Sequence, residues 1–386
     1  MSGKSLEIQV SPAVLKWARE AAGWTVKETA KKVGVGVEIV QRWESGEAAI
    51  SLPVLEKLAG YFKRPLAAFF LPEPPPEPRL PSDFRVFPGE SRSFSKTTRL
   101  AIRRARRLQA IAAELMEELG IEAKAKIGKA SLTDSPEEVA REERRRLRVG
   151  IQEQHDWANS YRALEGWRNQ IESLNVLVFQ IPMPVQDVRG FSLADKKPSA
   201  IVVSSSDAVH ARIFTIFHEF AHLLLRRPGI CSPEDAWIHS GNGGGVERWC
   251  NHFAGTLLVP EEVLQSDKDI KSIARPGEVS SELLSKVSQR LKVSRQAILI
   301  RMLGSQLISK KRYQDEIANL QLTRRESKQA GFALPPPRRC LQEKGRRFVS
   351  LVVESNQREL ITYSEVADYL SIRLKHLEKV QALIET

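Results

Sequence analysis

Ile213 to Leu225 read IFTIFHEFAHLLL, an apolar run interrupted by Thr215, His218, Glu219 and His222. Such a run is built to be buried, and burying two imidazoles and a carboxylate costs free energy unless something binds or pairs them. On a helix, positions four apart share a face, so His218 and His222 point the same way and can hold one ion between them. Glu219 sits beside the first histidine, close to that ion but not bound to it. H-E-x-x-H on a helix is the arrangement in which two imidazoles hold Zn2+ and the carboxylate takes a proton from water.

A catalytic zinc takes three protein ligands and keeps one position open. Downstream, GGGVERWCNHFAGTLLVP offers Glu247, with Asn251 one turn later and an apolar face of Trp249, Phe253, Leu257 and Leu258 to pack under the first helix. Asn251 is placed to hydrogen-bond a ligand histidine and hold its tautomer. His239, His252 and Asp235 compete as third ligands, although His252, five residues from Glu247, should face away from a metal that Glu247 binds. The charge that develops on a hydrolysed carbonyl needs a further donor, for which Arg189, His210, His239 and Tyr161 are candidates.

Upstream, NVLVFQI, RGFSL and AIVVSS are short β-rich runs between residues 175 and 205, expected to form a small sheet with AIVVSS at an open edge. Asp207 is expected to cap the helix that follows. The flanks are helical: 95–120, 135–148 and 160–174 before the sheet, 245–258 and most of the chain to about 322 after it, and two or three helices in 340–386. The fold class is therefore α+β, mostly helical.

The first seventy residues form a unit of about five helices. In TVKETAKKVGVGVEIVQRWESGE, Thr25 and Glu28 have capping-box spacing, Gly34 ends the short helix they start, and a second helix runs from about Val37 to Glu44 before Gly46. Two short helices across a glycine turn make a helix-turn-helix. This unit resembles the Xre/Cro-type helix-turn-helix of phage repressors, at Ala30, Val33 to Val35, Ile39 or Val40, and the ending RWESGE. The resemblance implies DNA contacts from the second helix, at Val37, Glu38, Gln41 and Arg42; only Gln41 and Arg42 are natural base or phosphate readers, and Glu38 repels phosphate. The same fold can instead serve dimerisation or recruitment of a protein.

LPEPPPEPRLPSDFRVFP holds proline at a density that favours an extended spacer over a packed helix. A net charge of +12 raises the prior for an anionic partner. The arginine clusters Arg99, Arg103, Arg104, Arg106, Arg107 and Arg144, Arg145, Arg146, Arg148 read first as solvated helix faces balanced by nearby acids. Three cysteines, Cys231, Cys250 and Cys340, are too few for a disulfide framework and fit a reducing compartment. With no apolar run of the roughly 18 residues that span a bilayer, and no signal core behind MSGKSLEIQV, a soluble cytoplasmic protein with no membrane partner is expected.

The pairing of RIFTIFHEFAHLLL with ERWCNHFAGTLLVP resembles the ImmA/IrrE family of metallo-endopeptidases, whose motifs are H-E-x-x-H followed by E-x-x-A/C-N-x-F-A-x-x-L-L-x-P. The likeness reaches back through RGFSL and AIVVSSSD, and a proline-rich link to an Xre-type unit is an arrangement seen in the family. It implies a zincin-like domain with one Zn2+ on His218, His222 and Glu247 and with Glu219 as general base; Cys250, where the family has alanine, reads as packing. The domains expected are a helix-turn-helix domain at 1–71, a linker at 72–88, a helical connecting region at 89–150, the metallopeptidase domain at 151–325 and a helical extension at 326–386. The function implied is cleavage of a repressor or antitoxin-like regulator. The alternative is a DNA-binding regulator whose protease-like domain serves sensing or assembly.

Overall fold

The computed structural model describes residues 6–75, 94–227, 230–231, 244–275, 280–324 and 334–385. The linker from residue 76 on, Asp235 and His239 lie outside them. Contacts divide the described chain into two units, the first comprising residues 6–75 and 94–106 and the second running from Arg107.

In the first unit, β1 (Glu7–Ile8) pairs antiparallel with β2 (Ile50–Ser51). Between them run α1 (Pro12–Ala21), α2 (Val26–Val33) and α3 (Val37–Ser45), and α4 (Leu52–Phe62) follows with a 3-10 turn at Leu66–Phe70. Thr25 Oγ1 accepts from Glu28 N while Glu28 Oε2 accepts from Thr25 N, the reciprocal cap that starts α2. Gly34, at φ 82°, ends it in the left-handed region. Val14, Leu15, Ala30, Val40, Trp43, Leu55, Leu58, Phe62 and Phe69 fill the core.

The long helix α5 (Lys96–Glu118) belongs to the first unit up to Arg106. Its arginines are not simply solvated. Arg103 donates to the carbonyls of Phe62 and Lys63, where α4 ends and its last carbonyls lack helical partners, and Arg106 is buried. The second cluster holds another exception. Arg144, 8% exposed, donates to Leu257 O at 2.6 Å and to Gln154 Oε1 at 2.8 Å.

The second unit continues with α6 (Pro136–Arg146), α7 (Ile151–Asp156) and α8 (Ser160–Ser173). A four-stranded sheet follows: β3 (Leu177–Ile181), β4 (Gly190–Leu193), β5 (Ala200–Ser204) and, beyond the helix α9 (Val209–Leu224), β6 (Ile230–Cys231). The order is β3-β5-β4-β6, with β3 parallel to β5 and the other pairs antiparallel. AIVVS is thus an inner strand hydrogen-bonded on both sides, which corrects the expected open edge. Strands β3, β4 and β5 are buried at every position, as an inner sheet covered on both faces must be.

After α9 come α10 (Gly244–Leu258), α11 (Glu261–Ser266), α12 (Lys268–Ala274), α13 (Ser281–Leu291), α14 (Arg295–Gly304) and α15 (Lys310–Arg324). The last segment has four helices where two or three are expected: α16 (Pro336–Lys344), α17 (Arg346–Gln357), α18 (Tyr363–Leu370) and α19 (Leu377–Glu385). They are tied to α8 by buried polar groups. Arg168 donates to Leu341 O and Gln342 O, and Glu172 accepts from Arg347 N. At Gly345, with φ 83°, a Cβ would overlap Glu172 Oε1, so this junction admits only glycine.

Candidate metal centre

Helix α9 is buried on every side from Arg212 to Leu224, as a helix that is apolar all round must be. Aromatic contacts set its neighbours. Trp167 of α8 meets Phe217 edge-on, with ring centroids 4.9 Å apart, a geometry that adds about 0.5–1.5 kcal/mol beyond burial. On α10, Trp249 stacks on Phe253, which stacks on Phe220 of α9. This packing lays the first turn of α10 over the second half of α9.

Glu247 is thereby brought to the histidine pair. Its Oε2 lies 3.0 Å from His218 Nε2 and its Oε1 3.3 Å from His222 Nε2, while the two Nε2 atoms stand 3.2 Å apart. His218 and His222 are each 1% exposed. His218 Nδ1 lies 2.8 Å from Asn251 Oδ1; an amide oxygen only accepts, so Nδ1 carries a proton and Nε2 is the nitrogen turned to the cluster, bare only when an ion rather than a proton lies there. Two imidazole nitrogens and a carboxylate at these distances repel one another unless a cation or a proton lies among them. The donor set, two nitrogens and a carboxylate oxygen within 4.8 Å of one another, is one that zinc takes.

Glu219 is fully buried beside this cluster. Burial pushes its carboxyl up to about 7, against the opposing pull of His222 and His218, with Glu247 adding to the rise and a hydrogen bond with Ser192 lowering it. Burial disfavours charge on His218, but the Glu247 carboxylate overrides it and the imidazole is raised to about 9. Glu247 is held well below the usual carboxylate range despite burial, by both histidines.

Two residues of β4 join the surroundings of Glu219 unannounced by any motif. Ser192 is its hydrogen-bond partner. At Gly190 a Cβ would overlap Thr215 Cγ2, come within 2.9 Å of Val202 O and stand 3.5 Å from Glu219 Cγ, so the strand can lie this close to α9 only without a side chain. RGFSL carries the hint, since a glycine opening a β-rich run signals close backbone approach.

The other candidate residues are dispersed. Arg189 Nη1 binds Asp207 Oδ2 at 2.7 Å. That ion pair corrects the expected role of Asp207: Ala208 is the N-cap of α9, with no side-chain cap. His210 stands in the first turn of α9, eight residues before His218, or about 12 Å along the axis. Burial and the charge of Lys292 lower its pKa. Tyr161 is 63% exposed in the first turn of α8. His252 faces away from Glu247, its Nε2 2.6 Å from Glu137 Oε1. Cys250 is fully buried. In the first unit, Glu38, Gln41 and Arg42 are exposed on α3 and Val37 is half-buried. Among the described residues no helix is long and apolar enough to cross a membrane.

The sequence model of the family described as helix-turn-helix matches residues 15–69. That of the IrrE N-terminal-like domain, a peptidase family, matches residues 171–303 and so contains β3, β4, β5 and both helices of the cluster. No curated protein and no solved structure matches the chain. Residues 15–69 are thus a helix-turn-helix domain of the Xre type and residues 171–303 a domain of the ImmA/IrrE type, carried on one chain.

Proposed function

We propose that the chain is a zinc-dependent endopeptidase that controls gene expression by cleaving a repressor or antitoxin-like protein. The observation that carries this reading is the meeting of His218 Nε2, His222 Nε2 and the Glu247 carboxylate within 3.3 Å, with Glu219 buried next to them. His218, His222 and Glu247 would hold the ion, which when bound supplies a Lewis acid that polarises a peptide carbonyl and acidifies water. Asn251 fixes the His218 tautomer so that Nε2 is available. Glu219, fully buried beside the ligands, is placed to accept a proton from water and return it to the leaving amine. Ser192 holds its carboxylate in place.

The helix-turn-helix unit supports a setting in transcription, with Gln41 and Arg42 as the side chains of α3 suited to bases or phosphates. The test combines metal analysis of the purified chain with a comparison of cellular proteins in strains carrying wild type and Glu219→Gln. The variant is expected to retain one equivalent of zinc and to let the uncut target accumulate. A wild-type chain without zinc, or a variant that still cuts, overturns the proposal.

A further inference from the structure

Thr362 to Val380, TYSEVADYLSIRLKHLEKV, repeats the pattern of Thr25 to Trp43, TVKETAKKVGVGVEIVQRW. Thr362 and Glu365 stand where Thr25 and Glu28 stand, Ala367 where Ala30, Leu370 where Val33, Ile372 where Val35, and Leu377 and Val380 where Val40 and Trp43. The hydrogen bonds repeat with the letters. Thr362 Oγ1 accepts from Glu365 N and Glu365 Oε2 from Thr362 N, a second complete capping box. Ser371 follows α18 in the left-handed region at φ 53°, ψ 44°, as Gly34 follows α2 at φ 82°, ψ 38°. Ile372 N then donates to Ala367 O at 3.1 Å, as Val35 N donates to Ala30 O at 3.0 Å, and His376 N to Arg373 O as Ile39 N to Gly36 O.

Serine replaces glycine at the turn for a visible reason. The buried Lys344 ammonium donates to Ser371 Oγ at 3.1 Å, which offsets part of the cost of a left-handed non-glycine residue. A 3-10 turn at Leu374–His376 runs straight into α19, so the second helix of the repeat spans Leu374 to Glu385. Arg346 donates to the carbonyls of Ile384 and Leu383 and fastens its far end. Neither family match reaches past residue 303.

The exposed side of this second helix differs from that of α3 in charge. Lys375 occupies the place of Glu38, Lys379 that of Arg42 and Arg373 that of Gly36, with one acid, Glu378, at the place of Gln41; all four are exposed. Leu374, 46% exposed, lies between the cations at the leading end. Three cations around one apolar side chain on the leading half of such a helix suit phosphates at the rim of a major groove and a thymine methyl within it. We propose that residues 362–385 form a second helix-turn-helix that docks on duplex DNA through Arg373, Lys375 and Lys379. In this motif Lys375 stands where the first has the phosphate-repelling Glu38, and the acid lies at Glu378 instead.

The test uses the full chain carrying Arg42→Glu, so that the first motif is weakened, and a fluorescein-labelled random-sequence duplex of about 30 base pairs followed by anisotropy over a salt series. Adding Arg373→Ala, Lys375→Ala and Lys379→Ala is expected to weaken binding about tenfold or more at ~100 mM salt, and to lower the log–log salt slope by about 2 to 3. Lys375→Arg with Lys379→Arg should keep both. If the triple variant melts early, Lys375→Ala alone decides, with about one unit of slope at stake. Unchanged affinity and slope overturn the proposal. So does unchanged DNA binding with an altered particle mass, which would make this helix a contact between copies of the chain.

Discussion

The hydrogen bond between His218 Nδ1 and Asn251 Oδ1 joins the two helices of the centre at the scale of a single proton. It sets which imidazole nitrogen is bare, and a bare Nε2 is what an ion requires. Asn251→Ala removes the acceptor without removing a ligand. Zinc affinity is expected to fall about 10–100-fold, measured by competition with a chelating dye, and Asn251→Asp, which keeps an acceptor, should recover most of it. An unchanged affinity in Asn251→Ala would show that the tautomer is set by something else. The ligand spacing was legible because H-E-x-x-H is local to one helix. Ser192 was not, and the glycine of RGFSL only hinted at a close approach, because nearness to Glu219 depends on the register of β4 against α9, which no short-range pattern encodes.

Among the elements, α2 is the best specified by its own letters, and its start is testable. The Glu28 carboxyl is held down to about 2 by a hydrogen bond from Lys96 and then by Thr25 N. A depressed carboxyl stabilises the fold above the unfolded value near 4.5, and that contribution is lost as pH falls through about 2. A carboxyl NMR titration should find Glu28 far below the other exposed glutamates, and Thr25→Ala should move it upward while costing about 1 kcal/mol of stability. A Glu28 that titrates normally would remove both the box and the ion pair. Caps, glycine turns and helix periods are local, so α2, α3 and α8 to α10 could be read from sequence within a residue or two. Strand order could not: AIVVS has the composition of either an edge or an inner strand, and only pairing with β3 and β4 makes it inner. Asp207 misled for a related reason: its Oδ2 pairs with Arg189 while its Oδ1 accepts from Ala208 N, the residue just before α9, and reaches no amide within the helix's first turn.

At the scale of the molecule, the two units have separate apolar cores. One is built around Leu15, Trp43, Leu58 and Phe62, the other around Trp167, Phe217, Phe220 and Phe253, and no residue belongs to both. Every proposed zinc ligand lies in the second. An ion that binds only the folded state stabilises by RT ln(1 + [L]/Kd), about 2.7 kcal/mol at a hundredfold excess over Kd. That energy acts on the unit that holds the ligands. Zinc added to the metal-free chain is therefore expected to raise the unfolding transition of the second unit, reported by Trp167, Trp249 and Trp157 fluorescence, and to leave that of the first in place. Trp43→Ala, which empties a buried site in the helix-turn-helix core, should do the converse: it costs about 3–5 kcal/mol there and leaves the zinc-dependent shift intact. Single-tryptophan variants read by calorimetry and fluorescence together separate the two transitions. Were both to rise with zinc by the same amount, the units would unfold as one, and their separate cores would not be separate in energy.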